Sequence, residues 1–362
     1  MKVLQVIDSL IRGGGAEKFV LDLSLALNNI SGAEVDVLSI VTPSNNDYVE
    51  ILETNGINHY VLSSKLRSPK NITSLKNFVG KGEYDVVHVH LFPALYFAAL
   101  AKSLSCKKFR LIYTEHSTTN KRRNNKIFQI ADKYIYRKYD AVVGISDKVK
   151  SNLDMHLSGN FVQIINNGID ISNIQGAPSA NIRHAESIPE DSIIVTMVSR
   201  VINGKDYNTV INALKILPKT FHVLFVGDGP LMADLRQKSN NSGVSDRIHI
   251  LGLRSDVYSI LKDSDIIVLS THHEGFSIAM LEAMACKKPF VASAVEGIKD
   301  LVEGVAELFE YQNEKELASI LLTLSNDRMK YELVADNCLN FARKYDINLV
   351  AQKYLNVYAD NV

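Results

Sequence analysis

Two acidic residues, Glu274 and Glu282, lie in a segment that is otherwise largely apolar, HHEGFSIAMLEAMACK. Glu274 follows the pattern of a buried strand, and Glu282 lies inside the helix pattern that comes next, for which Ser277 is a favourable N-cap. A carboxylate within an apolar helix is costly unless hydrogen bonds satisfy it. A structural partner such as an arginine could supply those bonds, and so could the hydroxyl pair of a ribose.

Two cations stand between an earlier strand pattern and its helix. Arg200 lies at the strand end in SRVINGKDYN, and Lys205 follows five residues later. A guanidinium fork and an ammonium point charge together suit a diphosphate. The segment is not a P-loop, because Ser199 replaces the leading glycine and Asp206 replaces the Ser/Thr after the lysine. A surface ion pair with Asp206 or a neighbour explains the two cations equally well.

Glycines mark two further strand ends. In RGGGAE, Gly14 and Gly15 let the backbone approach a ligand, and the helix that follows offers free N–H groups to an anion. Lys18 occupies the third glycine position of the dinucleotide fingerprint, which disfavours a nicotinamide cofactor. A tight strand-to-helix turn remains the alternative. The second segment, FVGDGPL, is interpreted as turn chemistry.

The composition is that of a soluble globular protein. The chain has 362 residues, 46% hydrophobic and 22% charged, and a formal net charge of +0, so no global field recruits nucleic acid. Three cysteines without CxxC spacing argue against disulfides or structural zinc, and no apolar stretch approaches the ~20 residues of a spanning helix. The start, MKVLQVIDSL, lacks the regions of a signal peptide. We expect a cytoplasmic protein that could still contact the inner face of the membrane.

The basic run KRRNNK is interpreted first as a solvated surface and second as a patch for an anionic lipid or acceptor.

Strand and helix patterns alternate in two series. Seven short β-branched runs, from KVLQVID to FVQIINNG, precede a polar stretch at 171–191 that is interpreted as a linker. A second series then runs from SIIVTMVSR to PFVAS. Continuous apolar strands between helices predict parallel sheets covered on both faces. The predicted fold is α/β, with two doubly wound, Rossmann-like domains at 1–175 and 190–345 and a final helix at 346–362.

Ligands of open α/β sheets bind beyond the carboxyl ends of the strands, which predicts a site in the cleft between the two domains. There the residues form a coherent nucleotide-sugar site. Sugar hydroxyls would lie near Glu274 and a diphosphate near Arg200 and Lys205. The ribose would then lie near Glu282.

The ordered set of segments resembles the GT-B-fold retaining glycosyltransferases of the family-4 type. The matching pieces are RGGGAE, VSRVINGKD, VGDGPL, the LG after the next strand and, above all, the E-x7-E spacing of Glu274 and Glu282. The resemblance implies a metal-independent transferase without a cofactor, a UDP- or GDP-type sugar donor and a glycan or lipid-linked acceptor in surface polysaccharide synthesis. It also implies that the helix at 346–362 crosses back onto the first domain.

The resemblance further assigns roles to individual positions. Residues at the reacting sugar and its diphosphate would be His116, Glu274, Arg200 and Lys205. Contacts to the donor, including its nucleobase, would come from Gly14, Gly15, Leu253, Arg254, Gly275, Phe276, Ser277 and Glu282. The sequence departs from the family's GG-x-x-E segment, where it has AVEGIKDLV.

The implied mechanism is retention through an oxocarbenium-like transition state, with Arg200 and Lys205 stabilising the leaving diphosphate. The leaving phosphate would take the acceptor's proton, and no protein nucleophile is proposed. Asp263 and Asp265 precede their strand, so they are assigned to capping or solvation rather than to a metal.

Two alternatives remain. An inverting transferase or a sugar-nucleotide epimerase of the same fold would need a base from the first domain, and His90, Glu115 or His116 could serve. A nicotinamide-dependent dehydrogenase, or a dinucleotide-binding protein without catalysis, is the other. We expect His88 and His90 to face opposite ways on their strand, so that at most one, preferably His90, lies in the site.

Overall fold

The computed structural model describes residues 1–12, 14–30, 32–117, 120–159, 162–274 and 277–359. The chain divides into two compact units. Unit 1 comprises Met1–Ile169 with Ile347–Val362, and unit 2 comprises Asp170–Asp346. Each unit has its own parallel sheet.

Unit 1 has seven strands. They are β1 (Lys2–Ile7), β2 (Glu34–Val41), β3 (Asn58–Ser63), β4 (Val86–His90), β5 (Arg110–Glu115), β6 (Ala141–Gly144) and β7 (Val162–Ile164). All pair in parallel, in the order β3-β2-β1-β4-β5-β6-β7. The helices between them are α1 (Gly15–Asn28), α2 (Asp47–Thr54), α3 (Lys70–Gly82), α4 (Ala94–Leu104), α5 (Lys126–Tyr136) and α6 (Asp147–Leu157), with a 3-10 turn at Lys121–Asn124.

Unit 2 has six strands. They are β8 (Ile193–Val198), β9 (Phe221–Val226), β10 (Ile248–Gly252), β11 (Ile266–Leu269), β12 (Phe290–Ser293) and β13 (Glu307–Phe309). All pair in parallel, in the order β10-β9-β8-β11-β12-β13. The helices are α7 (Ile171–Gly176), α8 (Ile182–Ala185), α9 (Tyr207–Ile216), α10 (Met232–Asn240), α11 (Val257–Asp263), α12 (Ile278–Ala285), α13 (Lys299–Val302), α14 (Glu314–Asn326) and α15 (Arg328–Arg343), with a 3-10 turn at Ser245–Arg247.

The central strands are buried on both faces. Every residue of β4, β6, β9, β11 and β12 is buried, and these are the apolar runs that predicted parallel sheets. The predicted α/β class is therefore confirmed. The sequence interpretation missed β13, whose three residues, ELF, are too few to show a pattern.

The stretch at 171–191 is not a linker but part of unit 2. Ile174 of α7 and Ile182 of α8 are fully or almost fully buried. The Asp263 carboxylate accepts the Ile182 N–H at 3.1 Å, and the Lys262 ammonium donates to the Ala177 carbonyl at 2.6 Å. A few well-placed apolar residues and these polar anchors bind a segment whose overall composition is polar.

The last helix, α16 (Ile347–Ala359), lies in unit 1, where it packs against α1. The Ile347 N–H donates to the Ile169 carbonyl at 2.8 Å, and the Tyr354 side chain is fully buried. Within the described ranges, no helix is both long enough and apolar enough to cross a membrane.

Candidate functional site

At the carboxyl edge of the unit 2 sheet, the loop after β8 is bonded to the loop after β11. Lys205 and Thr271 form an isolated antiparallel bridge, and the Thr271 hydroxyl donates to the Gly204 carbonyl at 2.9 Å. The His272 N–H donates to the same carbonyl at 2.7 Å. These bonds hold Lys205 beside Glu274.

The Lys205 ammonium and the Glu274 carboxylate form an ion pair. The two side chains are 14% and 19% exposed. The sequence interpretation gave them separate ligands, a diphosphate and a sugar, whereas the structure makes them partners. Each charge is partly desolvated and already compensated. An incoming anion must therefore share Lys205 with Glu274 or displace the Glu274 carboxylate from it.

Arg200, just beyond the end of β8, is exposed. In the part of the chain that the structure describes, no carboxylate lies within ion-pair distance of its guanidinium. The alternative pairing with Asp206 is not formed, because the Asp206 carboxylate caps α9 by accepting the Thr209 N–H at 3.2 Å and the Thr209 hydroxyl at 2.5 Å. Arg200 therefore keeps its five donors available to a ligand.

The glycines of FVGDGPL support the Arg200 loop, a role beyond the turn chemistry assigned from sequence. A Cβ on Gly227, whose φ is +135°, would lie 2.0 Å from the Ser199 carbonyl oxygen. A Cβ on Gly229 would lie 2.3 Å from the Val201 carbonyl oxygen. Only glycine allows this backbone to pack directly on both sides of Arg200. The signal in the sequence was Gly227, which precedes the Asp-Gly-Pro turn and is not needed by it.

Glu282 is less buried than its apolar helix suggested. Its neighbours Leu281 and Met284 are fully buried, whereas Glu282 is partly exposed. The Tyr258 hydroxyl donates to Glu282 Oε1 at 2.5 Å, so a tyrosine is one structural partner of this carboxylate. Ser277 occupies the N-cap position of α12, but its side chain makes no capping hydrogen bond.

The two residues predicted to lie near a nucleobase differ in whether the protein already binds their side chains. Leu253 is 61% exposed. The Arg254 guanidinium, by contrast, donates two hydrogen bonds to Asp256, from Nε to Oδ1 at 2.8 Å and from Nη2 to Oδ2 at 2.6 Å. Gly275 and Phe276, also predicted to contact the donor, lie outside the described residues.

A concavity of about 860 Å³ adjoins the Lys205 loop in unit 2. Among the residues predicted to bind the donor, Lys205 lines it, but Arg200, Arg254 and Glu282 do not. Its other side is formed by α10, including Lys238, and by Tyr311. Because its lining includes only one of these residues, the concavity is not identified with the predicted donor site, despite its volume.

At the carboxyl edge of unit 1, His116 is hydrogen-bonded to His90. Its Nε2 lies 2.9 Å from His90 Nδ1, and His90 Nε2 lies 2.9 Å from Gln5 Oε1. Burial lowers the pKa of His116 to about 3 and holds the pKa of His90 well below its usual value. Both imidazoles are therefore neutral at physiological pH.

The expectation that His88 and His90 face opposite ways is wrong. Their ring centroids are 4.1 Å apart, and both side chains are fully buried. Residues two apart on a strand point to the same face, so the two rings share one environment.

In the basic run KRRNNK, Arg122 is buried and Arg123 is largely buried, which contradicts their interpretation as a solvated surface. Arg122 lies 3.4 Å from the fully buried Asp132 and stacks over the Phe92 ring at 4.5 Å. Arg123 donates to Glu115 at 2.6 Å. A buried carboxylate for each arginine is what makes this burial possible.

Gly14 is the N-cap of α1, and Gly15 is its first residue. A Cβ on Gly14 would fall 1.9 Å from Glu17 Oε2. The room that this glycine provides is therefore filled by a carboxylate of the same helix. Gly13 lies outside the described residues.

Comparison with known proteins places these features in a family. A family model described as Glycosyl transferases group 1 matches residues 178–341, and one described as Glycosyltransferase Family 4 matches residues 13–173. The N,N'-diacetylbacillosaminyl-diphospho-undecaprenol alpha-1,3-N-acetylgalactosaminyltransferase of Campylobacter jejuni is 33% identical over 174 residues, which are 46% of this chain and 44% of that enzyme. The UDP-Gal:alpha-D-GlcNAc-diphosphoundecaprenol alpha-1,3-galactosyltransferase of Escherichia coli is 25% identical over 319 residues, 83% of this chain and 81% of that one.

Among solved structures, the crystal structure of Anabaena HepE in complex with UDP superimposes with a TM-score of 0.81. The two chains are 23% identical and are each 99% covered. This likeness shows that the chain has the GT-B fold, as predicted.

Proposed function

The chain belongs to the group 1, family 4 glycosyltransferases, and we propose that it moves a sugar from a nucleotide-diphosphate donor to a glycan or lipid-linked acceptor, with retention and without a metal. The observation that carries this proposal is that the exposed Arg200 and the Lys205–Glu274 ion pair lie at the same carboxyl edge of the unit 2 sheet. Two cations and one carboxylate supply what a diphosphate and a sugar hydroxyl need. The UDP bound to HepE and the UDP-Gal donor of the Escherichia coli relative support a nucleotide-sugar donor.

In the proposed complex, the diphosphate binds Arg200 and shares Lys205, which leaves the Glu274 carboxylate for a hydroxyl of the sugar. Negative charge grows on the diphosphate as the glycosidic bond breaks, so both cations stabilise the transition state more than the ground state. We assign the ribose to Glu282 and an apolar face of the base to Leu253.

Retention is favoured because the candidate bases of unit 1 are poorly suited to deprotonate an acceptor. His90 has both ring nitrogens hydrogen-bonded within the protein. His116, with a pKa of about 3, is a weak base, and Glu115 is held by Arg123. The leaving diphosphate is then the group that takes the acceptor's proton.

A transfer assay tests the function and its stereochemistry together. UDP- and GDP-sugars would be offered with a polyprenyl-diphosphate-linked saccharide, in the presence of EDTA. We expect one donor to be consumed and the NMR coupling at the new anomeric carbon to match the donor's configuration. A product of inverted configuration would rule out the retaining mechanism, and activity only with an added divalent ion would rule out metal independence.

We also propose that unit 1 binds the surface of an anionic membrane, where a lipid-linked acceptor would be found. On α5, Ile127, Ile130 and Tyr134 are 77%, 75% and 55% exposed and lie at helical spacing along one face. An apolar face flanked by cations fits the interface of an anionic bilayer. The exposed flanking cations are Lys126, Lys133 and Arg137.

Sedimentation with vesicles tests this contact. We expect the protein to bind vesicles that contain phosphatidylglycerol and to lose that binding in the double variant Ile127→Ser/Ile130→Ser. The matched control is Met329→Ser/Leu333→Ser, because these two residues are similarly exposed on α15 of unit 2. Equal loss in both double variants, or none in either, would contradict a docking role for α5.

A further inference from the structure

A chain of hydrogen bonds joins the last helix of unit 1 to His116. The His116–His90–Gln5 contacts continue to α16, because Gln5 Nε2 donates to the Tyr358 hydroxyl at 3.3 Å. Gln5 and His90 are fully buried and Tyr358 is 4% exposed, so water does not compete for these bonds. The position of each proton is therefore set by the neighbouring side chain.

The far end of the chain runs back into the sheet. Tyr358 Oη lies 2.7 Å from His88 Nδ1, and His88 Nε2 lies 2.7 Å from the Thr114 hydroxyl. The Thr114 hydroxyl is 3.0 Å from that of Tyr354, also on α16. Strands β1, β4 and β5 and the C-terminal helix thus share one buried polar network.

The amide of Gln5 gives the chain a direction. Its oxygen faces His90 and can only accept, so His90 carries its proton on Nε2 and leaves Nδ1 as an acceptor. His116 must then donate from Nε2. The amide nitrogen faces Tyr358, whose hydroxyl accepts that bond and donates its own proton to His88. With the Gln5 amide in this orientation, every bond between His116 and His88 is satisfied.

In this arrangement His116 Nδ1 carries no proton, and its lone pair can accept a hydrogen bond. In the part of the chain that the structure describes, this buried atom has no hydrogen-bond partner. The Phe19 ring packs edge-on to the imidazole, with the centroids 5.5 Å apart, and restricts its rotation. A buried polar atom without a partner is unfavourable, and a ligand's hydroxyl group can remove that cost by donating a hydrogen bond to it.

We propose that Gln5 and Tyr358 are positioning residues that fix His116 as its Nε2–H tautomer, so that Nδ1 accepts a hydrogen bond from a hydroxyl of a sugar bound at the carboxyl edge of unit 1. The identity of the ligand rests on the proposed function, whereas the tautomer does not. The imidazole's role is then to orient the sugar by accepting one bond, and it neither takes nor gives a proton during transfer. The C-terminal helix acts on the site through Tyr358, beyond its packing against α1.

The matched pair of variants is Tyr358→Phe and Tyr354→Phe. Both remove one hydroxyl from a buried tyrosine of α16, but only Tyr358 lies between Gln5 and His88. A third variant, Gln5→Leu, removes the residue that sets the direction. Nitrogen-15 NMR of the imidazoles reports the tautomer of His116, and steady-state kinetics report its use.

In the wild-type protein and in Tyr354→Phe, we expect His116 to carry its proton on Nε2. In Tyr358→Phe and Gln5→Leu, we expect a mixture of tautomers and a loss of kcat/KM of about tenfold, the worth of one neutral hydrogen bond. Tyr354→Phe should stay within about twofold of the wild type, since it leaves the Gln5–His90–His116 bonds intact.

An Nδ1–H tautomer in the wild type would overturn the proposal whatever the activity. Equal losses of kcat/KM in Tyr358→Phe and Tyr354→Phe would reduce Tyr358 to a packing role and overturn it as well. If no sugar transfer is found for any form, the proposed function fails, while the NMR result still decides the tautomer. If Gln5→Leu does not fold, the two tyrosine variants are sufficient to decide between these outcomes.

Discussion

The carboxyl edges of the two sheets solve different problems. At the edge of unit 1, His90, His116 and Gln5 are neutral and bonded to one another, so their geometry is fixed before any ligand arrives. At the edge of unit 2, Arg200 is exposed and Lys205 is compensated by Glu274. The difference is one of charge, because unit 2 presents an exposed cation at this edge, whereas unit 1 presents neutral side chains that are bonded to one another.

The largest expected effect comes from Lys205→Ala, which removes one cation from the leaving group. We expect the transfer rate to fall about 100- to 1,000-fold, the usual cost of losing one preorganised donor to a developing charge. Lys238→Ala is the control, since Lys238 lines the same concavity from α10. Equal losses in the two variants would move the site into the concavity, away from Arg200.

The next effect concerns Asp8, whose carboxylate accepts the Ala94 N–H at 2.9 Å. Burial, aided by the charge of Glu17, raises its pKa from 3.8 to about 7. A folded-state pKa above the unfolded one gives stability that is complete below about pH 4 and is lost as pH rises through about 7. Asp8→Asn cannot ionise, so its unfolding free energy relative to the wild type should rise by about 3 kcal/mol between about pH 5 and pH 8. Urea unfolding at both values measures this, and a constant difference would contradict a buried, protonated Asp8.

Gly229→Ala tests how the Arg200 loop is held. The added Cβ would meet the Val201 carbonyl, so we expect a loss of about 2 kcal/mol in unfolding free energy and weaker nucleotide binding. Gly80→Ala in α3 is the control, because nothing lies within 4 Å of its Cβ, and it should be neutral or slightly stabilising. If Gly229→Ala folds and its nucleotide affinity is unchanged, the Arg200 loop does not contribute to nucleotide binding.

The smallest effect is expected for Tyr258→Phe, which removes the hydroxyl bonded to Glu282. The bond runs from a neutral hydroxyl to a partly exposed carboxylate. We therefore expect its loss to change the free energy of nucleotide binding by about 1 kcal/mol. Comparing UDP with free ribose 5-phosphate would show whether the change follows the ribose. An effect on stability alone would make the Tyr258–Glu282 contact purely structural.

Strands, sheet type and family could be predicted from the sequence, because apolar runs and ordered motifs are local. Pairings between distant residues could not. Nothing in the spacing of Lys205 and Glu274 shows that Thr271 and Gly204 bring them together. The burial of Arg122 depends on Asp132, which comes from another element.

The orientation of His88 and His90 was, by contrast, within reach of the sequence. Their spacing of two already required a common face on a strand, and the prediction applied that period wrongly. No pattern predicts the direction of the hydrogen bonds through Gln5, because that direction depends on Tyr358, near the other end of the chain.

The central claim is that unit 2 binds a nucleoside diphosphate through Arg200. Calorimetry with UDP, GDP, ADP and NAD in EDTA tests it most directly, on the wild type, Arg200→Ala and the control Arg236→Ala, an exposed arginine of α10. We predict that one nucleoside diphosphate binds, that Arg200→Ala weakens it at least about tenfold, and that Arg236→Ala leaves it unchanged. Binding of NAD alone, or equal affinity in the wild type and Arg200→Ala, would contradict the account.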